Sequence, residues 1–141
     1  MVHALAGETS FRDVIRTLLH VLGIRKTGIA EVTPEELYRR IEGGHTPLMI
    51  DIRPPGEYDG TGGDGKGHIP YAVSIPYEKL ESSLGDLEAY KDKEVVTMCP
   101  RGGLSLVAAE LMTKAGFKDV KSLKGGMESW NRKGYPTTRD Q

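Results

Sequence analysis

The sequence predicts an α/β domain with helices on both faces of an open parallel sheet of about five short strands. Short apolar runs alternate with segments whose apolar residues recur every three or four positions. Strand runs with nearly continuous apolar character are typical of parallel sheets, because both faces of such sheets are buried. Alternation of this kind with short loops favours one layered domain, and in such sheets ligands bind beyond the carboxyl ends of the strands.

An extra amphipathic helix is predicted near the N-terminus. Ser10 followed by Asp13 gives a cap-like start, and apolar residues then recur at helical spacing until Gly23. These residues are Phe11, Val14, Ile15, Leu18 and Leu22. We expect residues 1–28 to form a helical extension packed on the domain formed by 29–141, and the alternative is a helix that docks a partner or a membrane surface.

The strands and helices of the domain follow in order. After an apolar stretch at 29–32, Thr33 and Glu36 form a predicted capping box, and Gly43 ends that helix. Apolar residues at helical spacing from 104 to 115 predict a helix between the last two strands. The further strands are predicted at 48–52, 72–75, 94–98 and 120–123.

The chain's single cysteine, Cys99, lies where the strand predicted at 94–98 gives way to the following helix. Amide groups of a tight loop that leads into a helix point inward, and the helix dipole adds positive charge there. A thiol in that loop is stabilised as the thiolate, which is the nucleophilic form. Gly102 and Gly103 allow the sharp turn and leave room for an anion, while Arg101 can contact the far charge of a substrate.

The sequence leaves two interpretations of Cys99 open. It is either a reactive nucleophile or a small buried side chain, and most free cysteines are of the second kind. The glycine-rich loop between strand and helix favours the nucleophile. Cysteine phosphatases use such a loop with an arginine six residues after the cysteine, which clamps the phosphoryl oxygens. Because Ser105 occupies that position here, the loop suits a single sulfur atom better, and a cysteine phosphatase or arsenate reductase is disfavoured.

Composition argues against several other classes of function. Lys and Arg number 19 against 20 Asp and Glu, and a net charge of −1 provides no field that attracts nucleic acid or an acidic membrane surface. The four histidines and one cysteine show no metal-ligand spacing, so we expect no metal and no cofactor. A single cysteine forms no internal disulfide, and no apolar run reaches the ~18 residues that span a membrane. We therefore expect a soluble protein of the cytoplasm.

Four segments of the sequence resemble those of one family. CPRGGLS at 99–105 resembles the active-site loop of rhodanese-type sulfurtransferases, C-x-x-G-x-x-S/A, and DIRPPGEY at 51–58 is similar to the family's D-x-R-x-x-x-E-[YF] segment. GHIPYAVSIPY at 67–77 and LKGGMESWNRKGYP at 123–136 are similar to two further family segments. The resemblance runs in the family's order from about 29 to 136. The chain thus resembles a single-domain rhodanese-like sulfurtransferase.

The resemblance implies sulfur transfer in two displacements. Cys99 attacks the outer sulfur of thiosulfate or another sulfane donor, becomes a persulfide, and passes that sulfur to an acceptor such as cyanide or a thiol. The implied persulfide-binding loop comprises Pro100, Arg101, Gly102, Gly103, Leu104 and Ser105. Because the chain has no second cysteine, sulfur leaves to an external acceptor, either a small molecule or a sulfur-carrier protein.

The resemblance also implies supporting residues. Asp51 and Arg53 correspond to a family pair beside the loop, and we expect Arg53 to hold loop carbonyls or a carboxylate such as Glu57. An ordinary salt bridge at the end of a strand is the alternative. His68 matches a family position that is structural more often than chemical.

Three departures from the family pattern leave the physiological donor open. Tyr71 replaces the usual glycine, and Leu104 stands where many members carry Arg or another polar residue. Residues 59–66 lengthen a flexible surface loop that could line the site or bind a partner. Since Arg101 is then the one charge of the cysteine loop, we expect weak binding of thiosulfate. The alternative function is a relay that takes sulfur from one protein and hands it to another with little turnover of thiosulfate.

Overall fold

The structure is a computed structural model that describes residues 28–140 together with Val14. Val14 is helical and 37% exposed. The rest of the helix predicted near the N-terminus lies outside the described residues, so its packing on the domain stays a prediction.

Strands and helices alternate along the described chain. The strands are β1 (Ala30–Val32), β2 (Leu48–Asp51), β3 (Val73–Ser74), β4 (Glu94–Met98) and β5 (Asp119–Leu123). The α-helices are α1 (Pro34–Glu42), α2 (Pro55–Asp59), α3 (Tyr77–Ser83), α4 (Gly103–Lys114) and α5 (Gly126–Arg132), and a 3₁₀ helix (Leu84–Tyr90) follows α3. Within 28–140 no helix is long and apolar enough to cross a membrane.

All five strands form one parallel sheet in the order β1-β5-β4-β2-β3. The predicted open parallel sheet is therefore confirmed. In its register Asp51 of β2 lies beside Met98, the last residue of β4. Because β4 pairs with β5 on one side and β2 on the other, the residue that follows Met98 emerges from the middle of the carboxyl edge.

Thr33 starts α1 as the sequence predicts. Its Oγ1 accepts a hydrogen bond from the backbone N–H of Glu36 at 3.1 Å, and Pro34 occupies the first turn, where a missing N–H costs nothing. Leu37, which follows on the inner face, is completely buried. The cap fixes where the chain leaves β1 and enters the helix layer.

One face of the sheet is covered by α3, the 3₁₀ helix and α4. Its core combines Ile50 and Val95 of the sheet with Leu80, Leu87 and Met112 of these helices. Successive residues of a strand point to opposite faces, so these strand positions alternate with those of a second core.

The second core lies on the opposite face of the sheet. There Met49 and Val96 pack against Leu37 of α1, Tyr58 of α2 and Trp130 of α5. Helices therefore cover both faces, as the sequence predicts.

Replacing a buried and an exposed residue of α4 tests how this helix is packed. Met112 is fully buried, whereas Val107 on the same helix is 39% exposed. We expect Met112→Ala to lower the free energy of unfolding by about 2–5 kcal/mol, and Val107→Ala by less than about 1 kcal/mol. Urea denaturation measures both values. Equal losses for the two variants would contradict the packing of Met112 against the sheet.

Candidate active site

The chain makes a tight turn between β4 and α4, and Cys99 is the first residue of that turn. Gly102 caps α4 with a φ of +95°, a conformation that L side chains adopt only under strain. A Cβ built at Gly102 would also lie 2.9 Å from the backbone nitrogen of Gly125. The glycine is therefore required both by the turn and by the segment packed against it.

Hydrogen-bond donors surround the sulfur of Cys99. The backbone N–H groups of Gly102 and Ser105 donate to Sγ, with N···S distances of 3.1 and 3.3 Å, and Ser105 Oγ lies 3.3 Å from Sγ. The side chain is almost fully buried, since Cys99 is 2% exposed. Donors directed at a buried sulfur favour negative charge on it, and such a sulfur is a nucleophile.

Two buried hydroxyl-bearing residues, Thr97 and Ser122, hold Ser105 in place. Ser105 Oγ and Ser122 Oγ are 2.7 Å apart, so the hydroxyl beside the sulfur is also bonded to β5. Thr97 Oγ1 of β4 donates to the carbonyl oxygen of Ser105 at 2.8 Å. All three residues are fully buried. Sequence reasoning missed Thr97 and Ser122, because both lie in strands and their direct contacts with Ser105 form only when the strands and α4 pack together.

The start of α5 closes the other side of the turn. The N–H of Met127 donates to the Cys99 carbonyl at 2.8 Å, and the N–H of Glu128 donates to the Pro100 carbonyl at 2.9 Å. Gly126 has a φ of +65°, and a Cβ built on it would meet the Cys99 carbonyl oxygen and lie 2.6 Å from Arg101 N. Sequence reasoning did not assign Gly126 to the site. The adjacent glycines Gly125 and Gly126 were nevertheless a signal that two backbone segments approach closely there.

The remaining loop residues form the mouth of the site. Pro100, Arg101, Gly103 and Leu104 are all exposed, and Leu104 is 43% exposed. Within residues 28–140 the guanidinium of Arg101 makes no ion pair with another side chain. The mouth thus combines an unpaired cation with an apolar side chain.

Asp51 and Arg53 form a buried ion pair on the other face of the sheet. Arg53 Nε and Nη2 donate to the two carboxylate oxygens of Asp51 at 2.9 and 2.8 Å, and Nη2 also donates to the Gly67 carbonyl at 2.8 Å. Asp51 alternates along β2 with Ile50, which faces the core beside α4, so its carboxylate faces the opposite core.

The expected partners of Arg53 are therefore wrong in two respects. Its guanidinium binds the carboxylate of Asp51 rather than that of Glu57, and the carbonyl it holds belongs to Gly67 rather than to the cysteine loop. The physical reason is the alternation of side chains along the extended chain, which directs Asp51 and Arg53 to the face opposite that of Ile50 and Ile52, whose core contains Cys99.

His68 is 2% exposed and has contacts typical of a structural residue. Its ring stacks on Tyr58 with a centroid distance of 3.6 Å, and Nδ1 lies 2.6 Å from the Tyr58 carbonyl oxygen. Its backbone pairs with Thr138. Burial, with the charge of Asp51 as a second cause, raises the pKa of the neighbouring Tyr58 hydroxyl, which donates to the Ala72 carbonyl.

The segment 59–66 folds back on the C-terminal part of the domain. Asn131 Nδ2 of α5 donates to Asp64 Oδ2 at 3.1 Å, and a Cβ at Gly60 would collide with the side chain of Arg139. Hydrogen bonds from Thr61 lower the pKa of the Asp59 carboxyl. The segment thus has hydrogen bonds within itself and one to α5, and Gly60 lies against the side chain of Arg139.

Tyr71 adopts the left-handed backbone region where the family pattern has glycine. Its φ is +76°, and it is the one non-glycine residue with positive φ among those described. The side chain is 84% exposed. Glycine adopts this conformation without strain, so the substitution places an exposed ring before β3 at a cost of roughly 1–2 kcal/mol.

Across the described residues no group of three or more His, Cys, Asp or Glu side chains could hold a metal ion.

Comparisons with known proteins identify related chains. The family model described as "Rhodanese-like domain" matches residues 33–133. The "HTH-type transcriptional regulator Rv0324" of Mycobacterium tuberculosis is 34% identical over 138 residues, which cover 96% of this chain and 55% of that protein. The chain therefore spans little more than half of that relative.

Two further relatives carry sulfur chemistry in their names. The "Sulfurtransferase" of Allochromatium vinosum is 30% identical over 108 residues, covering 77% of this chain and 94% of that protein. The "Putative sulfur carrier protein YrkF" of Bacillus subtilis is 27% identical over 135 residues, which cover 93% of this chain and 69% of that protein.

A solved structure shares the fold. The rhodanese-related protein of Thermoplasma volcanium is 26% identical and superposes with a TM-score of 0.65, covering 79% of this chain and 99% of that one. The resemblance seen in the sequence is confirmed by these matches.

The close approach of α5 to the turn yields a testable prediction. We expect Gly126→Ala to displace the Cys99 and Pro100 carbonyls, because its Cβ has no free space and its φ is positive. Unfolding free energy should fall by about 2 kcal/mol or more, and alkylation of Cys99 should slow. Gly85→Ala is the control, since a Cβ at Gly85 meets nothing within 4 Å. Equal behaviour of the two variants in urea denaturation and alkylation would contradict this packing.

Proposed function

We propose, from the premise that this chain belongs to the rhodanese-like domain family, that it transfers sulfane sulfur through a persulfide on Cys99. The observation that carries the proposal is the set of groups around Sγ: the backbone N–H groups of Gly102 and Ser105 donate to it, and the hydroxyl oxygen of Ser105 lies 3.3 Å from it. A persulfide anion is accommodated by the same groups that favour a thiolate.

The proposed reaction consists of two displacements in which atoms and electrons balance. The Cys99 thiolate attacks the outer sulfur of thiosulfate, the bond between the two thiosulfate sulfurs breaks, and sulfite leaves with the electron pair. Cyanide or a thiolate then attacks the outer sulfur of the persulfide and releases the Cys99 thiolate. No external oxidant or reductant is required.

The acceptor must be external to the chain. Cys99 is the single cysteine, so no second thiol in the chain can take up the sulfur. Reaction also requires a reduced thiol, which favours a reducing compartment such as the cytoplasm.

Sulfur relay between proteins is the second candidate function. The mouth has one unpaired cation, Arg101, beside the exposed Leu104, and Val107 is exposed one helical turn further along α4. An apolar strip beside the reactive loop suits a protein surface better than it suits a doubly charged small anion. A named sulfur carrier among the relatives supports the same candidate.

Phosphoryl transfer is not proposed. Ser105 occupies the position that would supply the clamping arginine. It is fully buried, and its backbone N–H donates a hydrogen bond to the sulfur of Cys99.

Intact-protein mass spectrometry after incubation with thiosulfate tests the proposal. We expect the protein to gain one sulfur atom, which cyanide removes as thiocyanate, and we expect Cys99→Ser to gain none while remaining folded. Sulfur gain by the Cys99→Ser variant would contradict the assignment. No gain by a folded protein whose thiol alkylates rapidly would favour the relay, with a protein persulfide as the donor to be tried next.

Replacement of Arg101 tests whether its charge contacts the donor. We expect Arg101→Ala to raise the KM for thiosulfate on the order of tenfold with a smaller change in kcat, because a charge-assisted contact is lost. Arg39→Ala, which removes an exposed arginine of α1, is the matched control. An unchanged KM in Arg101→Ala would remove this side chain from the donor site.

A further inference from the structure

The hydroxyl of Ser122 is a buried group that the proposed reaction does not use directly. Ser122 is fully buried in β5, and its Oγ lies 2.7 Å from Ser105 Oγ. We infer that Ser122 is a positioning residue that fixes the hydroxyl of Ser105 with its proton directed at the sulfur of Cys99. The inference rests on the proposed function, because it concerns the sulfur atom that reacts.

The number of protons available sets the direction of these hydrogen bonds. In the described part of the chain, Ser105 Oγ is the one hydrogen-bonding partner of Ser122 Oγ. A buried hydroxyl proton without an acceptor is costly, so the Ser122 proton is best placed on Ser105 Oγ. Only one of two paired hydroxyls donates to the other, and the Ser105 proton is therefore left for the sulfur, 3.3 Å away.

This direction leaves the sulfur with donors on every described side. They are the N–H groups of Gly102 and Ser105 and the hydroxyl of Ser105. While the Ser105 hydroxyl donates to the sulfur, none of them accepts the proton of a neutral thiol. The reverse arrangement, in which Sγ donates to Ser105 Oγ, leaves one of the two serine hydroxyl protons without an acceptor. A thiolate or persulfide anion is fully matched by this set, whereas a thiol leaves its own proton without an acceptor.

Ser105 itself has little freedom to move. Its carbonyl accepts a hydrogen bond from Thr97 Oγ1 at 2.8 Å, and its N–H donates to Sγ at 3.3 Å. The direction of the Ser105 hydroxyl proton is therefore the part of the residue that can still change, and the hydrogen bond with Ser122 determines it. Without the Ser122 hydroxyl, Ser105 Oγ can turn to accept the thiol proton, which stabilises the neutral form.

Charged groups also surround the loop. Arg101 lies in the turn, Lys124 follows β5, and Glu128 begins α5 beside the Pro100 carbonyl. The Asp51 and Arg53 ion pair lies on the opposite face of the sheet. These groups are the same in every variant compared below, so a difference between variants reports on the hydroxyls.

The rate of Cys99 alkylation by iodoacetamide, measured against pH on the full chain, tests the inference. We expect Ser122→Ala to raise the pH of half-maximal rate by about 0.5–1 unit, which slows alkylation at neutral pH by roughly three- to tenfold. Ser82→Ala, which removes an exposed hydroxyl of α3, is the control and should leave the profile unchanged.

A pair of variants of equal shape separates the hydroxyl from packing. Ser122→Thr and Ser122→Val both suit a strand, but only threonine retains a hydroxyl. We expect the threonine variant to keep the original profile and the valine variant to shift as alanine does. If Ser122→Ala fails to fold, the threonine and valine variants still show whether the hydroxyl of residue 122 determines the pH profile.

A double-mutant cycle tests whether Ser122 acts through Ser105. Once Ser105→Ala has removed the intermediate hydroxyl, we expect Ser122→Ala to cause no further shift. An unchanged profile in Ser122→Ala, or additive shifts in the double variant, would overturn the inference. Alkylation needs no sulfur donor, so failure here is distinct from failure of sulfur loading, which concerns the proposed function alone.

Discussion

The site depends on the close approach of two backbone segments. One is the turn after β4, and the other is the start of α5 at Gly125 and Gly126. The first N–H groups of α5 bind the carbonyls of Cys99 and Pro100, and this contact requires glycine at Gly126. With the carbonyls held from outside, the amides of Gly102 and Ser105 are left to bind the sulfur. Backbone contacts with the start of α5 thus help to fix the turn that carries Cys99.

Cys99 and the Asp51–Arg53 ion pair lie on opposite faces of the sheet. Cys99 belongs to the core beside α4, and the hydroxyl of Ser105 lies 3.3 Å from its sulfur. Asp51, Arg53 and His68 are buried near the other core, and they bind one another's segments rather than the cysteine loop. Their contacts therefore support the part of the chain between β2 and β3.

Much of the fold could be predicted because its signals are local. The apolar runs of β2 and β4 and the Thr33 cap lie within single segments of the chain, and the structure has them where the sequence predicts them. The helices between 77 and 90 were missed, since they are short and one is a 3₁₀ helix. The partners of Arg53 and the contact between Ser122 and Ser105 depend on strand alternation and on neighbouring strands, which no local pattern contains.

The sheet's edges have a consequence for how concentrated copies of this protein behave. In the described structure the outer strands are β1, with three residues, and β3, with two. An exposed strand edge is a template on which another chain can add by backbone pairing, and short edges limit that process. Most pairing capacity lies in β2, β4 and β5, which are already paired on both sides. A domain with its apolar strands enclosed in this way is protected against edge-to-edge aggregation.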